Sequence, residues 1–101
     1  MTEPIAGPSG SGTVVMELGA GVGALILYTP ADLDGEEIEI SRDGSPRTHS
    51  RVRPRHLPGH TRYAAVYPGL PAGRYTVWRG DTPAAAVTVA GGQVSSCHWP
   101  G

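Results

Sequence analysis

The chain is predicted to fold as an all-β, small antiparallel β-sandwich of seven to eight strands, and three observations carry that expectation. Its fifteen glycines and ten prolines break it about every eight to twelve residues, too often for a helical period. The runs left between them are short and rich in Val, Ile, Tyr and Thr, the residue types that fit a pleated sheet. Residues Pro68 to Trp78 then read P-G-L-P-A-G-R-Y-T-V-W. This is a turn, a lone leucine, a second turn and a strand opening on Tyr75, a way for the chain to pass between sheets.

A chain of 101 residues makes one domain with a modest core. Residues 1–12 are Pro-, Gly- and Ser-rich and are expected to form a flexible tail. They have no positive n-region and no apolar h-region, so a signal peptide is not expected. Residues 13–101 are expected to form the domain. Its strands are placed at 13–18, 22–29, 36–42, 47–53, 61–67, 74–79, 84–90 and 93–99.

The run at 22–29, V-G-A-L-I-L-Y-T, is apolar on both faces and should be central. In 36–42, Ile38 and Ile40 alternate with Glu37 and Glu39, the pattern of a half-buried strand. Parity tests the turns that follow. A two-residue turn at Asp43-Gly44 would set His49 opposite Ile38 and Arg47 opposite Ile40. A three-residue loop from Asp43 to Ser45 instead pairs Ile40 with Thr48 and Ile38 with Ser50. It also sets Glu39 opposite His49 and Glu37 opposite Arg51. The longer loop is therefore expected, with Gly44 or a neighbour left-handed. Gly91-Gly92 reads as a two-residue hairpin pairing Val89 with Val94 and Val87 with Ser96. In the Pro68–Trp78 run, Leu70, Tyr75 and Val77 are expected inside, with the Tyr75 hydroxyl on a nearby backbone group. Arg74, Thr76 and Trp78 take the outward parity.

Charge nearly balances at −1, which exerts no overall pull toward nucleic acid or membrane. Seven of the nine acids lie in residues 1–40, and all eight basic residues are Arg within 41–80. Neighbouring strands that pair these charges across a sheet account for the split. The single cysteine, Cys97, forms no internal disulfide, and a cytoplasmic location is expected. Cys97 falls on the outward parity beside His98. Strand neighbours point to opposite faces, which suits neither residue to a catalytic dyad.

Four constellations bear on function. Glu17, Gly19, Gly21 and Gly23 resemble the cofactor loop of S-adenosylmethionine-dependent methyltransferases, and the run also scans as a dinucleotide G-x-G-x-x-A. Such loops need a helix to follow, and L-I-L-Y-T reads as strand. His56 and His60 are candidate metal ligands. Pro58-Gly59 between them forbids a shared helical face, so only a turn could set them opposite each other. His49, Arg51 and Arg53 share one strand parity. Pairing through a turn at 57–59 would place Tyr63 opposite Arg53 and Tyr67 opposite His49. That Arg/His/Tyr face would suit a carbohydrate or an anion. Trp78 and Trp99 both fall outward, as interface residues or a sugar platform.

The segments L-P-A-G-R-Y-T-V, Leu70 to Val77, and A-V-T-V-A-G-G-Q-V, Ala86 to Val94, resemble the prealbumin-like β-sandwiches. That group includes the carboxypeptidase regulatory-like domain and the B-type repeats of collagen-binding surface proteins. The resemblance implies a binding, spacer or accessory module. Lys and Asn are absent from the chain, which excludes the isopeptide cross-link of such surface repeats. Trp78-Arg79-Gly80-Asp81 lies mid-chain, unlike the terminal Tyr-Arg-Gly-Ser of the transthyretin-like hydroxyisourate hydrolases, so hydrolase activity is not implied. The leading expectation is a non-catalytic interaction or accessory module without a cofactor, contacting another protein or a second copy of itself. A small-ligand domain using the Arg/His/Tyr face comes second, and a His-based metal protein third.

Overall fold

Eight strands run through residues 19–100, the part of the chain that the computed structural model describes. The expected tail at 1–12 and strand at 13–18 lie outside it. The strands are β1 (Val22–Thr29), β2 (Glu37–Arg42), β3 (Arg47–Arg51), β4 (Arg53–Leu57), β5 (His60–Pro71), β6 (Gly73–Arg79), β7 (Thr82–Val89) and β8 (Val94–His98). A single 3₁₀ turn, Ala31–Leu33, links β1 to β2. The strands form two four-stranded sheets, ordered β4-β5-β1-β8 and β3-β2-β6-β7, stacked as a sandwich.

The core lies between the two inner faces. Leu25 and Leu27 of β1 and Ala65, Tyr67 and Leu70 of β5 meet Ile38 and Ile40 of β2, Tyr75 and Val77 of β6, and Val89 of β7. The doubly apolar run at 22–29 is central, flanked by β5 and β8. Two side-chain hydrogen bonds tie the sheets together. The Tyr67 hydroxyl donates to the Ile38 carbonyl at 2.7 Å, and the Ser50 hydroxyl donates to the Val66 carbonyl at 2.8 Å.

The β2–β3 register matches the parity argument. Ile40 pairs with Thr48, Ile38 with Ser50, Glu39 with His49 and Glu37 with Arg51, and Gly44 sits at φ +77°. A one-residue slip would have turned both isoleucines outward. The corner also seats its residues as expected. Leu70, Tyr75 and Val77 are buried, and the Tyr75 hydroxyl donates to the Pro71 carbonyl at 2.7 Å.

Three local expectations are corrected. Residues 47–53 do not form one strand: the chain leaves β3, passes through fully buried Val52 and enters β4 in the other sheet. Val52 stays paired as it crosses, its N–H donating to Glu36 and its carbonyl accepting from Gly35, each at 2.9 Å. Pro68-Gly69 is a bulge within β5, not a turn between strands. The β1–β5 register steps from Leu25 opposite Tyr67 to Gly23 opposite Leu70, and Gly69 takes φ +67°. Such a bulge bends its strand, here toward the crossing into β6.

The third correction concerns Gly91-Gly92, which carries the chain from one sheet to the other instead of closing a hairpin. Gly92, at φ +73°, donates its N–H to Val22 at 2.8 Å. β8 then runs parallel to β1, with Ala24 opposite Val94 and Leu27 opposite Cys97. The first sheet is therefore mixed. Val94 faces outward and is half exposed, while Val89 stays in the core. Cys97 takes the same side as Leu27 and packs against the core, opposite to its expected parity. Burial pushes its thiol pKa up.

Candidate functional site

The outer faces of the two sheets differ in how they handle charge. On the β3-β2-β6-β7 sheet the split seen in the sequence is resolved by pairing. Arg47 meets Glu39 at 2.8 Å, Arg51 meets Glu37 at 2.9 Å, and His49 Nε2 lies 4.0 Å from Glu37. Arg47 also donates to the Gly80 carbonyl and spreads its guanidinium over the Trp78 ring at 3.9 Å. Exposed pairs of this kind contribute roughly 0–1 kcal/mol each, and they neutralise Glu37 and Glu39, while Arg42, Arg74 and Arg79 of the same sheet make no ion pair among the described residues.

The β4-β5-β1-β8 sheet has no such compensation, because its strands contain no carboxylate. The β4–β5 register sets Arg55 directly opposite Arg62 and Arg53 opposite Ala64. Parity puts Arg53, Arg55, His60 and Arg62 on the outer face, with Tyr28 of β1 and His98 of β8 beside them. The Arg62 guanidinium stacks on the Tyr28 ring at 3.6 Å and donates to His98 Nε2 at 3.3 Å. A guanidinium can only donate, so Nε2 is the acceptor. Arg55 donates to the Ala64 carbonyl at 3.3 Å, while its Nε is buried with no partner among the described residues. Leu57 and Val94, the large apolar side chains left exposed among the described residues, have the same outward parity.

The Arg/His/Tyr face expected from sequence is thus taken apart and rebuilt. His49 and Arg51 stay on the charge-paired sheet. Arg53 belongs to the opposite one, because the chain changes sheets at Val52. Tyr63 pairs with Pro54, not Arg53, and packs against the core. Tyr67 is buried at 2% exposure; burial raises its pKa, and the Cys97 thiol adds to the shift. Arg55, Arg62, Tyr28 and His98 were missed. Their grouping depends on β5 lying between β4 and β1 and on β8 joining β1, neither of which the local sequence announces.

His56 and His60 do not face each other. The two-residue Pro58-Gly59 turn sets Leu57 opposite His60 and His56 opposite Thr61, and His56 Nδ1 lies 3.2 Å from the Thr61 hydroxyl. No group of three or more His, Cys, Asp or Glu able to hold a metal gathers among the described residues. The cofactor-loop imitation ends at Gly23, which already lies in β1 and not before a helix. A Cβ there would overlap the Ala90 carbonyl and sit 2.8 Å from Val89 Cγ1.

The tryptophans come together at one end of the sandwich. Trp99 packs on the core, correcting its outward parity, because β8 follows β1 and the Trp99 N–H bonds the Tyr28 carbonyl at 2.7 Å. Trp78 keeps its outward parity, with its indole N–H on the Ser41 hydroxyl at 2.9 Å. Both rings line a cleft of about 270 Å³. Comparison of the chain with protein-family models, curated proteins and solved structures finds no match.

Proposed function

We propose that the protein is a non-catalytic interaction module that docks an acidic segment of another protein on the outer face of its β4-β5-β1-β8 sheet. The observation that carries this reading is the Arg55–Arg62 pair. Like charges directly opposite on a sheet are destabilising, and no carboxylate in these four strands offsets them. A local rule broken with no carboxylate to offset it supports reading this face as a surface kept for something outside the fold. Arg53 extends the cationic area, His60 and His98 add ring nitrogens for hydrogen bonding, and Leu57 and Val94 add apolar contact at its margins. Arginine and aromatic side chains are the types favoured in such interfaces. The inward, half-buried Cys97 thiol, its pKa raised by burial, argues against nucleophilic chemistry at the one cysteine.

Prealbumin-like kinship and a cytoplasmic location belong to the same proposal. The four-and-four division of the strands and the Leu70–Tyr75 corner support the first. The single cysteine supports the second.

Fluorescence anisotropy of a labelled poly-glutamate peptide tests the docking face. Arg55→Glu should weaken binding by tenfold or more, and raising salt should weaken it further, since exposed charge is screened over about 8–10 Å. Arg47→Glu, on the charge-paired sheet, should leave binding unchanged. Equal losses in both variants, or duplex DNA bound as tightly as the peptide, would count against an acidic protein partner.

A further inference from the structure

The cleft beside the tryptophans has a local cause in the sheet. β2 and β6 pair only over Ile40–Arg42 and Tyr75–Val77. Past Val77 the β6–β7 register then shifts, with Ala84 of β7 as the extra residue between Val77↔Ala85 and Trp78↔Pro83, and no register pair joins Trp78 and Arg79 of β6 to Glu37–Glu39 of β2. Bulges commonly end pairing and redirect a side chain in this way. The strands part, and the cleft of about 270 Å³ opens between them, lined by Leu33, Glu36, Ile38, Trp78, Arg79 and Trp99 among others.

The lining selects among ligand classes. A cation is disfavoured, because each indole already carries a guanidinium: Arg47 lies 3.9 Å from the Trp78 centroid and Arg79 lies 5.0 Å from that of Trp99. A second positive charge would meet the first across the same ring. An anion is disfavoured by Glu36 and Glu37 at the rim. The remaining fit is a neutral ligand with an apolar face for an indole and hydroxyls around its edge. Hydroxyls both donate to a carboxylate and accept from a guanidinium, so one ring could use Glu36 and Arg79 together. The volume is just under the range of about 300–1,000 Å³ usual for drug-sized ligands, which suits a single ring. Glu36 is exposed, and its carboxylate makes no ion pair among the described residues, so it is available to such a ligand.

We propose that the cleft between β2 and β6 is a carbohydrate site that seats one neutral pyranose ring between Trp78, Trp99, Glu36 and Arg79. This site is separate from the cationic face on the other sheet and does not depend on it.

The chain has two tryptophans, both at the cleft, so its intrinsic indole emission reports this place alone. The probes are the methyl pyranosides of glucose, galactose, mannose and N-acetylglucosamine. At least one should give a saturable emission change. Glu36→Gln should weaken that binding about tenfold, the loss of a hydrogen bond to a charged group, with its melting midpoint kept. Arg53→Glu, on the opposite sheet, should leave the titration unaltered. Absence of saturation with all four pyranosides would overturn the proposal. So would a Glu36→Gln titration identical to the parent, or saturation by arginine methyl ester in place of the sugars.

Discussion

Replacing Tyr67 and Tyr75 singly by Phe removes the same atom from two places and should not cost the same. The Tyr75 hydroxyl donates to Pro71 at 2.7 Å in a half-buried setting, and Pro71 itself is exposed. Without the hydroxyl its carbonyl can turn to water, so the loss is the net value of one hydrogen bond, about 1 kcal/mol. The Tyr67 hydroxyl donates to Ile38 at the same distance, but that bond is buried. Ile38 is 5% exposed and has no β6 partner. Phe at 67 leaves this buried carbonyl short of a partner, and the cost rises to about 2 kcal/mol. In a domain of this size 1 kcal/mol moves the melting midpoint by about 4–8 °C. Thermal unfolding followed by far-ultraviolet circular dichroism should therefore show a drop of about 4–8 °C for Tyr75→Phe and about 8–16 °C for Tyr67→Phe. Equal drops, or a larger one at Tyr75, would refute the argument that burial of the carbonyl left behind sets the cost.

Alkaline pH should destabilise the fold. Burial raises the pKa of Cys97 above 9.0 and those of Tyr67 and Tyr75 above 10.0. Each group keeps its proton to higher pH in the folded state than in the unfolded one. The unfolded chain therefore binds fewer protons as pH rises through its own values. Stability is complete below about pH 9 and declines above it, first through Cys97 and then through the tyrosines. Urea midpoints measured between pH 8 and 11 check this, and a midpoint that rises across that interval would contradict it. Gly23→Ala should cost about 1–3 kcal/mol or more, because the new Cβ meets the Ala90 carbonyl and the Val89 side chain. An unchanged chemical-denaturation midpoint would show that the β7–β8 connection yields at no cost.

Some features were legible because they depend on neighbours in the chain. The alternation of Ile38 and Ile40 with Glu37 and Glu39, followed by a short Gly-containing loop, admits one register that keeps both isoleucines inside. That register is the one observed. The burial of Leu70 and Tyr75 at the corner was legible for the same reason, since the leucine, the turn into β6 and the tyrosine lie within a few residues of one another. The outer-face Arg/His/Tyr cluster was not legible. Its expected form assumed that 47–53 stays in one sheet, whereas Val52 is buried and carries the chain across.

Alternation and turn chemistry in the sequence by itself determined an all-β sandwich, the central place of 22–29, the β2–β3 register and the buried corner. These are local constraints, enforced by the two-residue period of a strand and the φ values that glycine permits. Tertiary structure alone decided which strands share a sheet. It sent β8 to run parallel beside β1, turning Cys97 inward and Val94 outward, and it split the Arg-rich segment between two sheets. That choice depends on which segments, far away in the chain, pair with the edges of β1 and β5. No local pattern encodes such a contact, and both candidate surfaces depend on it.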